Sequence, residues 1–148
     1  VLLDINQRPD FDLYLYSINK GNSVSNASKP SKIRKFLGWQ TIISSHSVGT
    51  VIKTALHQEF DFYSQEYPIL ADGHFFSKVF KTNKNIYISN KTIGNFSLDG
   101  LSNKNNYNNI FTTFIIQIES YSFFPQLILL IYRLIKYRKS KFNIYHQK

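Results

Sequence analysis

Glu66-Tyr67-Pro68-Ile69-Leu70-Ala71-Asp72-Gly73-His74-Phe75-Phe76-Ser77-Lys78-Val79-Phe80 is the stretch whose reading decides the fold. Pro68 stiffens the approach, an apolar step follows, and Asp72-Gly73 falls where a helix should begin. Phe75, Phe76, Val79 and Phe80 recur at helical spacing, so one face of that helix is expected in the core. Spacing alone makes Asp72 an N-cap at the edge of a core, since capping aspartates are common. The same place also suits a working carboxylate, because backbone N–H groups and the helix dipole favour its ionised form. Periodicity does not choose between the two.

Working outward, ordered pieces stand on both sides. Upstream lie Ser45-His46, Gly49-Thr50-Val51-Ile52-Lys53 and Phe60-Asp61-Phe62-Tyr63. Downstream lie Ile86-Tyr87-Ile88 and Phe96-Ser97-Leu98-Asp99-Gly100-Leu101-Ser102. With Tyr67–Gly73 between them, this run resembles the C-terminal half of the family-two glycosyltransferases, especially those that build bacterial surface polysaccharides. The resemblance implies an α/β fold: the C-terminal part of a GT-A-like nucleotide-sugar transferase, a mixed sheet with flanking helices and a helical C-terminal tail. It implies that residues 1–102 are the acceptor-side half of a catalytic domain, and 103–148 a linker and basic apolar tail.

The family places its catalytic base at the Asp of the Ala-Asp step, here Asp72. The implied reaction transfers a sugar from a nucleotide-sugar donor to a saccharide or lipid-linked acceptor, with inversion at the anomeric carbon. Asp72 would take the proton from the attacking hydroxyl. His46, on a loop that lines the cleft in such enzymes, is either a substrate contact or a structural histidine. Asp99 and Ser102 are the substrate-binding candidates of the following loop, although a tight turn explains Asp99-Gly100 equally. One departure stands out. Relatives often carry a glycine turn before Phe60-Asp61, and Glu59 stands here, so that turn must be built differently.

The family's divalent cation, Mg or Mn, would neutralise the departing nucleoside diphosphate. Its ligands are expected upstream of Val1, in a longer protein, as the missing methionine and the initial Val suggest. Asp10-Phe11-Asp12 has the Asp-x-Asp shape of such a site, but it precedes the apolar run Leu13–Ser17 instead of following it, and reads as a turn. His46, His57 and His74 do not form a metal-ligand spacing, so no metal site is assigned. The chain has no cysteine, which excludes disulfides and thiolate chemistry.

The 148 residues carry a net charge of +9, which points to an anionic partner. The basic residues are spread along the chain, and no groove-entering helix or RNA-stacking motif accompanies them, so nucleic acid is not expected. A second reading nevertheless remains: a basic non-enzymatic module that binds anionic lipid or nucleic acid.

Before the Ser45-His46 step, Leu13–Ser17 reads as a buried strand, Ser23–Lys32 as polar loop, and Lys29–Leu37 as a basic stretch forming a short helix or a bent strand. Ile86–Ile88 and Asn95–Leu98 read as two short strands. Asn103–Asn109 reads as linker, and Ile110–Ile135 as two helices broken near Pro125. The apolar body and basic end of the second helix suit an anionic membrane surface. They equally suit packing on the domain, or on a second copy in a homodimer. The expected location is cytoplasmic, peripheral at the inner face of the plasma membrane.

Overall fold

The computed structural model describes residues 1–44, 46–97 and 106–145, with the backbone alone at 46–47, 106 and 140–145. Among these residues every strand pairs with β1 (Leu13–Lys20), whose first six residues are buried. β4 (Ile86–Phe96) runs parallel along one edge of β1. The other edge is shared by two short antiparallel strands. β2 (Ser23–Ser25) pairs with its end, and β3 (Thr50–Ile52) with its beginning. Leu13–Leu15 pair with both β3 and β4, and Asn19 and Lys20 with both β2 and β4, which fixes that arrangement. The fold is thus α/β, a mixed four-stranded sheet with flanking helices.

Burial on both faces explains the continuous apolar run of β1. Leu13 and Leu15 point into a core of Trp39, Ile42, Leu56, Phe75, Phe76, Val79 and Phe80. Tyr14 and Tyr16, on the alternate face, stand against the Tyr87 ring at centroid distances of 5.9 and 6.3 Å. The Arg8 guanidinium covers Tyr87 at 4.9 Å, just after helix α1 (Leu2–Gln7). Asp12 closes the start of the sheet: its Oδ2 accepts a hydrogen bond from Asn85 N at 3.1 Å. Its own role is therefore to join the entries of β1 and β4.

Several elements depart from the sequence reading. The expected loop Ser23–Lys32 contains β2, because Gly21, at φ 58°, turns the chain back into a tight hairpin. The two expected strands after Asn85 are one strand, β4. It stays paired with β1 by register shifts between Tyr16 and Ser17 and again before Asn19, where extra residues bulge out. The basic stretch is helix α2 (Lys32–Leu37), capped by Ser31 Oγ accepting from Arg34 N at 3.2 Å. The one-turn α3 (His46–Gly49) and α4 (Thr54–Glu59) flank β3.

The central helix α5 (Ala71–Lys81) buries the expected Phe75, Phe76, Val79 and Phe80, together with Gly73. At the C-terminal end α6 (Asn106–Ile118) starts inside the expected linker, and α7 (Phe123–Tyr145) follows it as an antiparallel hairpin. The break lies at residues 119–122, and Pro125 sits in the first turn of α7, where its missing N–H costs nothing. The Tyr107 and Tyr137 rings, 4.7 Å apart, and the Phe114 and Phe123 rings, 5.8 Å apart, join the two helices. Ile116 of α6 enters the same core as α5, so the hairpin packs on the domain.

Candidate active site at the start of α5

Asp72 is the second residue of α5. The helix begins at Ala71 with Leu70 as N-cap and no side-chain cap, so Asp72 is not the cap that the sequence suggested. The turn Tyr67–Leu70, closed by Leu70 N donating to Tyr67 O at 3.0 Å, starts the helix two residues earlier than a cap at Asp72 would. The carboxylate is half-buried and still lies in the first turn, where the positive end of the dipole acts on it.

The adjacent Gly73 explains how this end of the helix is held. A Cβ there would fall within the indole of Trp39, which is itself buried. The backbone of α5 therefore lies flush on the Trp39 ring. Only a residue without a side chain permits that approach.

A set of rings borders Asp72 on the α4–α5 side. Burial and the Asp72 carboxylate push the Tyr63 phenol above its ordinary range. The Tyr63 ring lies 5.4 Å from Phe75 and 5.3 Å from His57, and His57 stacks on Phe75 at 5.0 Å. His57 Nδ1 is buried without a hydrogen-bond partner among the described residues. The turn after α4 is built from Asp61 and Phe62, at φ 58° and 56°, with Phe62 N donating to His57 O at 2.7 Å. Both residues are left-handed, a conformation a phenylalanine rarely adopts.

The other flank is tied to Glu119, in the turn between α6 and α7. Tyr67 donates its hydroxyl to Glu119 Oε1 at 2.7 Å, and that bond holds the phenol protonated well above its usual range. His74 Nε2 lies 3.4 Å from Glu119 Oε2. The pair looks ionic, but burial, helped by the Lys78 charge, lowers the His74 pKa and outweighs the carboxylate's pull. The neutral imidazole, with its N–H directed to Glu119, is the form consistent with both. The sequence reading weighed His57 and His74 only as metal ligands and gave Tyr63, Tyr67 and Glu119 no role at the site. The aromatic run 57–63 was the local signal for His57 and Tyr63.

The side chains of the remaining candidates fall outside what the structure describes. His46 opens α3, but only its backbone is described, and Asp99 and Ser102 lie outside the described residues. A cavity of about 10 Å³, room for a single water, is lined by Lys35, Gly38, Trp39, Ser77, Phe80, Gln117 and Tyr121. It lies under the α6–α7 hairpin, does not include Asp72 and is far too small for a sugar. Among the described residues no group of three His, Asp or Glu side chains converges to hold a metal ion. The described residues therefore offer no fit for the cation that the resemblance implies.

No protein-family model, curated protein or solved structure matches the chain.

Proposed function

We propose that this chain is the acceptor-side half of an inverting glycosyltransferase with a GT-A-like fold, and that Asp72 is its general base. The observation that supports this most is the placement of Asp72: ionisable, half-buried, in the first turn of a helix clamped on Trp39 by Gly73. Such a carboxylate is pre-positioned, and a base must be pre-positioned to accept a proton as the acceptor oxygen attacks. The oxygen's lone pair forms the bond to the anomeric carbon, the bond to the nucleoside diphosphate breaks, and the hydroxyl proton passes to Asp72. The finer fold and the substrate roles of His46, Asp99 and Ser102 belong to the same proposal.

Asp72→Asn in the full-length protein tests it. Release of nucleoside diphosphate from a panel of nucleotide sugars, with saccharide acceptors present, should fall by more than about a hundredfold while the far-UV circular dichroism is unchanged. Near-normal turnover of the Asn variant would remove Asp72 from the role of base.

A further inference from the structure

Helix α7 is inside out. Its inward face presents Gln126 and Leu130, both buried, and Arg133. Arg133 Nη1 donates to Gln117 Oε1 at 2.8 Å and Nη2 to Leu37 O at 2.7 Å. Gln117 Nε2 and Gln126 Nε2 both donate to Phe36 O at 3.2 Å. The polar side chains thus satisfy the last carbonyls of α2, groups that a helix end leaves without partners.

The outward face is apolar. Phe124, Ile128, Ile131 and Ile135 are 76, 68, 50 and 52% exposed. At helical spacing they fall within an arc of about 60°, opposite the arc of Gln126, Leu130 and Arg133. Tyr132 flanks this stripe, 60% exposed, and the exposed Lys136, Arg138 and Lys139 follow it. Residues 106–118 and 123–145 contain no Asp or Glu.

We infer that this face docks on an anionic lipid surface, with α7 lying in the plane of the interface. Polar groups turned to protein and apolar groups turned outward suit a helix whose outer neighbour is hydrocarbon. The cationic turn at the end of the stripe selects anionic headgroups, and a phenol such as Tyr132 suits the boundary between the two. A second copy fits less well: it would bring the same cations to a hairpin whose helices offer no carboxylate to receive them. Among the described residues no helix is long and apolar enough to cross a membrane, so the contact is superficial. This inference does not depend on the role of Asp72.

The test is flotation of the full chain with phosphatidylcholine vesicles containing phosphatidylglycerol, and with phosphatidylcholine alone. Binding is expected on the anionic vesicles and should be lost in Ile128→Glu/Ile131→Glu and in the milder Ile128→Gln/Ile131→Gln pair. Reversing Lys136, Arg138 and Lys139 to Glu should lower partitioning more than about a hundredfold. Ile33→Glu, on the exposed side of α2, should change nothing. Circular dichroism of each variant establishes that it is folded. The inference is overturned by absence of binding, by equal binding to both vesicles that survives charge reversal, or by a dimer in light scattering that the Ile128/Ile131 variants dissociate.

Discussion

Helices α5 and α7 each press one face on the protein, and they do so in opposite ways. α5 buries Phe75, Phe76, Val79 and Phe80 and leaves its charged groups, Asp72, Lys78 and Lys81, on the remaining surface. α7 directs Gln126 and Arg133 inward and leaves Phe124, Ile128, Ile131 and Ile135 outside. Burial of apolar area drives the first contact. The second is specified by hydrogen bonds to the end of α2, and it leaves apolar area to be covered by something else. The contrast teaches that a helix can be packed and still be unfinished. α5 needs no further partner to explain its composition, whereas α7 does.

Gly73→Ala attacks the α5 side hardest. In an open helix this change would stabilise by about 1 kcal/mol through propensity. Against the Trp39 indole it should instead destabilise by about 3 kcal/mol, read as a lower denaturant midpoint at unchanged slope. A gain in stability would show that α5 is not clamped at that end, and Asp72 would lose its rigid support.

Arg133→Ala tests the other contact. It leaves the Leu37 carbonyl and the Gln117 amide oxygen without this donor and should cost about 2 kcal/mol. Arg133→Leu, which supplies apolar bulk without donors, should not restore the loss. If it did, the inward face of α7 would be held by hydrophobic packing after all, and the contrast with α5 would disappear.

The smallest effect belongs to the link between the two regions. Burial, with the Lys78 charge, lowers the His74 pKa, so the unfolded chain takes up this proton more readily than the folded one. The associated stability is present above the ordinary imidazole range near 6.5 and is lost as the pH falls through it. Thermal melts between about pH 7.5 and 5.5 should show a steeper acid-side decline for the native protein than for His74→Gln. Equal slopes would mean that the proximity of Glu119 cancels the burial.

Much of this fold was legible because its signals are local. The apolar run of β1 and the 3.6-residue spacing of Phe75 to Phe80 each act within a few residues. What escaped was set by partners distant in the chain. β4 reads as two strands because its bulges make sense only against β1. Pro125 reads as a breaker because its place in a first turn depends on where α7 starts. Gln117, Gln126 and Arg133 interrupt the apolar run Ile110–Ile135, and they are the groups that dock the hairpin.

The chain's order of residues determined by itself that a helix runs through Phe75–Phe80 with a carboxylate near its beginning, that a buried strand precedes it, and that two apolar helices close the described chain. Only tertiary structure decided that Asp72 lies within the first turn and not at the cap, that Trp39 seats Gly73, and which side of α7 meets protein. Helical periodicity says which side chains share a face, but the identity of the surface opposite depends on groups far away in sequence, and those are brought together only by the fold.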